Sequence, residues 1–138
     1  MKFSKATDYA LHTMLFLCKS PFDKPVGVQQ LAEQQQVSPT YLSKILTKLA
    51  KAGMIESISG VNGGYRLKRN WEEISFLDII HAIEGTASLF ECGLHHNPGC
   101  LIQQVMVEAE NKMEVFLREQ KISELAKKAT NMWDSGIK

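Results

Sequence analysis

Apolar positions along the chain fall into segments of different period, and the sharpest lies at its middle. Leu42, Ile45, Leu46 and Leu49 recur at i, i+3, i+4 and i+7, which aligns them along one face of an α-helix. Ser38-Pro39 stands just before them: a serine oxygen can accept from an unpaired first-turn amide, and a proline there gives up an N–H that has no helical partner. Ala52-Gly53 supplies the stop, glycine tolerating the left-handed conformation that ends a helix. Upstream, Val28, Leu31 and Ala32 mark a short helix ending near Gln35, with Val37 placed to plug the core between the two helices. The turn is as short as a helix-turn-helix requires. Downstream, Met54, Ile55 and Ile58 predict a strand, Gly60 to Gly64 a tight turn, and Tyr65 to Leu67 a return strand.

The flanks are helical too. From Ser4, placed to cap a helix running to about Lys19, the apolar residues Ala6, Tyr9, Ala10, Leu11, Met14, Leu15, Phe16, Leu17 and Cys18 nearly encircle the axis. A helix apolar on all sides is buried on more than one, so it is expected to pack on the helix-turn-helix and on something else, a second subunit being one candidate. Ser20 to Gly27 is a loop, and Trp71 begins a linking segment. Ser75 is placed to cap a helix carrying Phe76, Leu77, Ile79, Ile80 and Ile83, which closes at Glu84-Gly85. After an irregular stretch over 86–100, Leu101 to Glu119 reads as a long helix whose seam is Leu101, Ile102, Val105, Met106, Ala109, Met113, Phe116 and Leu117. A domain this small cannot cover such an arm, so a partner helix from another subunit is the expected cover. Ser123 is expected to cap a last short helix with Leu125 and Ala126, before a loose tail from about Asn131.

The pattern therefore predicts a mainly α protein. A winged helix-turn-helix DNA-binding domain with a two-stranded wing occupies residues 1–84, a cysteine- and histidine-bearing loop 85–100, and a long dimerisation helix with the C-terminal tail 101–138.

Composition changes this picture in one respect. At 138 residues, with 44% hydrophobic and 22% charged positions, the chain is an ordinary globular one with room for one core and an arm. Its formal charge of +1 hides a division: residues 1–70 carry ten Lys/Arg against four Asp/Glu, and residues 71–138 six against eleven. A basic half suited to phosphates is joined to an acidic half that they would repel. Only Lys2 precedes Ser4, and no small-residue cleavage site follows the apolar residues 14–18, so no signal peptide is expected. No run reaches the ~20 apolar residues of a membrane helix, and three cysteines are too few for a disulfide framework. A cytoplasmic setting follows as the expectation.

Opposite the apolar stripe of the central helix stand Thr40, Ser43, Lys44, Thr47, Lys48 and Lys51, with Ser38 and Tyr41 at its start. Small hydrogen-bonding groups and cations suit a helix lying against double-stranded DNA. Lys44, Lys48, Lys51 and Arg66 would neutralise phosphates, the salt-sensitive share of affinity. Thr40, Tyr41, Ser43 and Lys44 are placed to reach base edges or the adjoining backbone; Tyr41 reads equally well as half-buried core. In the hairpin, Val61 and Asn62 at the tip could enter a minor groove, beside Gly63 and Gly64, whose simpler task is the turn. A solvated lysine face is the bland reading of the helix, and the short preceding helix, the basic hairpin and the charge division stand against it.

The loop Cys92-x2-His95-His96-x3-Cys100 has three readings. Thiolate and imidazole both suit zinc or iron, although the spacing is no standard zinc motif. Alternatively the two thiols form a redox switch, one attacking the other after oxidation, with Cys100 activated by the N-terminus of the following helix. Inert thiols and solvated histidines make the third. Cys18, inside the first apolar run, reads as a small buried hydrophobe, and His12 and His81 as packing or surface residues on their helices.

The segments Lys2-Phe-Ser-Lys-Ala-Thr-Asp-Tyr-Ala10, Val37-Ser-Pro-Thr-Tyr-Leu-Ser-Lys-Ile-Leu46, Leu49-Ala-Lys-Ala-Gly-Met-Ile55, Gly60-Val-Asn-Gly-Gly-Tyr-Arg-Leu67, Phe76-Leu-Asp-Ile-Ile-His-Ala-Ile-Glu-Gly85 and Ile122-Ser-Glu-Leu125 together resemble the Rrf-two (IscR/NsrR/CymR-type) family of bacterial transcription regulators. The resemblance spans nearly the whole chain. It implies a homodimeric winged-helix regulator, with the helix after the cysteine loop at the dimer interface and the first helix also against the partner. Its best-known members hold an iron–sulfur cluster through three loop cysteines and a further residue. Here Cys92 and Cys100 remain and the middle cysteine is missing, which would leave iron sites open unless His95, His96 or Glu91 filled them. No cofactor is assigned on that basis.

The expected function is a homodimeric transcriptional regulator, a repressor on a palindromic operator, answering a redox, metal or metabolite signal. The alternative is a cluster-less regulator controlled through a protein partner such as a metabolic enzyme, which the acidic C-terminal half would suit. An enzyme is not expected: no Ser/His/Asp constellation, phosphate loop or carboxylate pair stands in a recognisable context.

Overall fold

The computed structural model of the protein describes residues 2–90, 93 and 99–129. They form helices α1 (Lys5–Cys18), α2 (Val28–Gln35) and α3 (Pro39–Lys51), the strands β1 (Ile55–Ile58) and β2 (Gly64–Leu67), a 3-10 turn at Trp71–Glu73, then α4 (Phe76–Glu84), α5 (Leu101–Glu119) and α6 (Ile122–Lys128). The strands pair antiparallel with Ile55 opposite Leu67, Glu56 opposite Arg66 and Ile58 opposite Gly64.

Local chemistry sets most boundaries. Ser38 Oγ accepts from Tyr41 N at 3.1 Å, and Pro39 opens α3. Ser75 and Asp78 form a reciprocal capping box at the start of α4, satisfying two amides at once. Between α2 and α3 the chain reverses at Gln36, which sits in the left-handed region at φ 55°. Its amide and that of Val37 reach back to Glu33 O and Ala32 O, the usual way of closing a helix end tightly.

Leu42, Ile45, Leu46 and Leu49 all point into one core with Met14, Leu31, Ile55, Ile79 and Ile122. α1 runs through its centre. The second side of α1 is covered by α4 and α6 of the same chain, so its all-round apolarity is answered largely within one subunit. Two capping expectations are corrected. The hydroxyl of Ser4 does not cap α1 but donates to Glu84 at 2.5 Å, because α4 brings a carboxylate to that helix end. The cap position of α6 is Lys121, and Ser123 is buried inside the helix, donating to Glu72 O at 3.2 Å. The start of α6 is fixed instead by a bridge to the α4 entry, with Phe76 N on Gln120 O at 2.8 Å and Ile122 N on Ile74 O at 3.1 Å.

α5 is different: none of its residues is buried. Met113 and Leu117 pack on Leu77 and Ile80 of α4, and His81 Nε2 lies 3.7 Å from Glu114. Leu101, Ile102, Val105, Met106 and Phe116 stay exposed, Leu101 at 73%. Among the described residues no helix is long and apolar enough to cross a membrane.

Candidate nucleic-acid interface

Burial of the α3 stripe leaves the opposite face outward. Ser38, Thr40, Tyr41, Lys44, Thr47, Lys48 and Lys51 are exposed and Ser43 is half-exposed. The hydroxyls of Ser43 and Thr47 donate back to Thr40 O at 2.9 Å and Ser43 O at 2.8 Å, so their oxygens remain able to accept. Tyr41 meets Tyr9 of α1 edge-on, ring centroids 5.8 Å apart, which fixes the ring on the protein side and leaves its rim outward.

The cations divide into two kinds. Lys44 and Lys51 project from the exposed face. Lys48 bends away, its Nζ donating to Ile83 O at 3.4 Å near the C-terminus of α4, where the helix dipole favours a cation. Arg66 is engaged inside the hairpin: its Nε donates to Glu56 Oε2 at 2.9 Å, and its guanidinium lies 4.9 Å from the centre of the Phe22 ring. Neither Glu56 nor Phe22 stood out in the sequence. The signal for Glu56 was its mirror position across the hairpin; Phe22 in its loop gave none.

The wing tip is open. Val61 is fully exposed and Asn62 lies beside it. Gly63 serves the turn, since a Cβ there would fall 2.0 Å from Ile58 O. Strand β2 is fastened to the α1–α2 loop by paired bonds, Val26 N to Tyr65 O at 2.9 Å and Tyr65 N to Val26 O at 2.8 Å. A helix with an outward polar face and a two-stranded hairpin at its exit is the arrangement of a winged helix-turn-helix.

A family model described as "Iron-dependent Transcriptional regulator", Rrf2, matches residues 3–128. The chain belongs to the Rrf2 family. It is 36% identical to the HTH-type transcriptional regulator NsrR of Halalkalibacterium halodurans over 79% of each chain. Among solved structures it resembles CymR, the global cysteine regulator of B. subtilis, with a TM-score of 0.79, 27% identity and coverage of 92% of this chain and 97% of that one. IscR of T. potens follows with a TM-score of 0.76, 28% identity and coverage of 94% and 88%. The Rrf2 chain described here is thus a DNA-binding transcriptional regulator and not an enzyme.

Of the loop chemistry, Cys100 is described: its Sγ accepts from Gln103 N at 3.4 Å and occupies the cap position of α5. Cys92, His95 and His96 lie outside the described residues. Among the described residues, no three His, Cys, Asp or Glu side chains gather into a group that could hold a metal ion. Iron–sulfur clusters normally take four protein ligands, and the two thiols of the loop do not by themselves make that set. Cys18 is a different thiol altogether, for burial pushes it up to about 12 and leaves it protonated and inert.

Proposed function

We propose that this Rrf2 protein works as a homodimeric repressor that closes a palindromic operator and releases it on a signal received at residues 86–100. The observation that carries the reading is α5. Its stripe of Leu101, Ile102, Val105, Met106, Ala109 and Phe116 is left exposed among the described residues, and a two-fold copy of the same helix would supply a cover. Met113 and Leu117, lower on the seam, face α4 and so would link that junction to the reader domain.

In the dimer, two α3 helices enter successive major grooves. Thr40, Ser43 and the rim of Tyr41 reach base edges or backbone, Lys44 and Lys51 take phosphates, and Val61 and Asn62 approach the minor groove. Because Cys100 caps α5 directly, a redox, metal or metabolite event in the loop acts on the helix that spaces the two readers. Control through a bound protein such as a metabolic enzyme is the competing reading, and it would use the same apolar stripe.

Sedimentation of the purified protein, with footprinting on its own promoter at low salt, tests the reading. A dimer protecting two half-sites one helical turn apart is expected. A monomer, or no protected palindrome, would sink it, and stoichiometric retention of an enzyme from cell extract would favour the alternative.

A further inference from the structure

Arg66 stands at the base of the wing and carries one of the few cations of the hairpin, so the obvious task for it is a phosphate. Its surroundings say otherwise. The residue lies directly opposite Glu56 in the β1–β2 register, and its Nε is 2.9 Å from Glu56 Oε2. The other side of the guanidinium is closed by the Phe22 ring at 4.9 Å, and Phe22 belongs to the loop that also bonds Tyr65 through Val26. Both members of the pair are about one-third exposed, 31% for Arg66 and 35% for Glu56. A planar guanidinium can hold a carboxylate and stack on an aromatic face together, which an ammonium cannot do equally well.

We propose that Arg66 is a positioning residue. Glu56 fixes it within the hairpin and Phe22 ties it to the α1–α2 loop, so that the three side chains together set the angle at which Val61 and Asn62 are presented to DNA. This rests on the wing approaching DNA. The Arg66–Glu56 pair cancels its own charge and adds nothing to counterion release, whereas a phosphate contact adds about 0.9 to the salt slope for each copy.

The two roles give opposite signs in one experiment. Binding is measured for the wild type and for R66Q, E56Q, F22A and the exchanged pair E56R/R66E. The probe is a labelled duplex selected by the wild type from random-sequence DNA, titrated over a range of salt. Amide hydrogen exchange of residues 57–65 is recorded without DNA. For a positioning clamp, R66Q and E56Q each weaken binding about three- to tenfold, although E56Q removes an anion from beside the DNA. The salt slope stays at the wild-type value, wing amides exchange faster in both variants and in F22A, and the exchanged pair recovers most of the affinity. A slope lowered by about 0.9 per copy in R66Q, tighter binding by E56Q, or unchanged wing exchange would each overturn the proposal. Wild-type protein that selects no duplex would instead refute the wing–DNA reading, and the exchange data would still decide whether the clamp exists.

Discussion

A methyl group added to Gly64 is the sharpest probe of how the wing is attached. Gly64 begins β2 at φ +147°, a conformation that residues with a side chain rarely adopt. A Cβ there would lie 2.6 Å from Val26 C, 2.7 Å from Val26 O and 2.9 Å from Gly27 N. All three are backbone atoms of the α1–α2 loop, so no flexible side chain can yield. Relief requires β2 to move off the loop, which breaks the reciprocal Val26–Tyr65 pair at 2.9 and 2.8 Å. Backbone strain of about 1–3 kcal/mol, with about 0.5–1.5 kcal/mol for each of the two lost hydrogen bonds, puts Gly64→Ala at roughly 2–6 kcal/mol.

Two neighbours calibrate that figure. Gly60 has φ +104° with open space around its would-be Cβ, so Gly60→Ala carries the strain alone, about 1–3 kcal/mol. Gly27 has open space and an ordinary φ of −74° but is the N-cap of α2, so in Gly27→Ala an entropic gain of up to about 1 kcal/mol is set against alanine's poorer capping, and a change within about 1 kcal/mol of the wild type is expected. Urea unfolding of the three variants gives the ordering, and operator affinity gives its functional echo. If Gly64→Ala unfolds no earlier than Gly60→Ala, close approach to the loop is not what requires glycine at 64.

Three further outcomes follow from the same geometry. Ser38→Ala removes the acceptor for Tyr41 N and should cost about 1 kcal/mol of stability by urea unfolding, together with weaker DNA binding, since the lost cap lies at the reading end of α3. Lys44→Gln should lower the slope of log affinity against log salt by about 0.9 per copy, with the fold intact by circular dichroism; an unchanged slope would remove Lys44 from the phosphate contacts. Burial alone would push the Glu84 carboxyl up, but donors on Ser4 Oγ, Thr7 Oγ1 and Ser4 N and the charge of Lys2 outweigh it and hold the group below the usual carboxylate range. A depressed folded-state value stabilises the native state above the unfolded-state value, ~4.3 for a glutamate, and that stability is lost as pH falls through the folded value. Glu84→Gln should therefore unfold earlier at neutral pH and show a shallower acid limb, and an acid limb identical to that of the wild type would refute the assignment.

The residues that could be read without the fold are those whose task is local. Leu42, Ile45, Leu46 and Leu49 declare a helix face by spacing alone, Ser38-Pro39 and Ser75 declare where helices begin, and the glycines between Ile58 and Tyr65 declare a hairpin. Each signal lies within one turn of helix or one pair of strands, where propensity and hydrogen bonding are decided by near neighbours. The charge division and the exposed seam of α5 were legible for a related reason, since both are sums over a segment and need no knowledge of what it packs on.

What the tertiary structure decided are pairings between residues far apart in the chain. Ser4 looked like a cap until α4 brought Glu84 to its hydroxyl, a partner 80 residues away. Ser123 looked like another until the bridge at Lys121 started α6 earlier and buried it. The second face of α1 meets α4 and α6, elements that follow it by more than fifty residues. Lys48 and Arg66, two of the four cations expected at phosphates, have partners within the chain that only the fold supplies: Ile83 O for Lys48, and Glu56 with Phe22 for Arg66. A side-chain charge announces what a residue could attract, but its commitment depends on which groups the fold delivers within about 4 Å, where Coulomb attraction and desolvation compete.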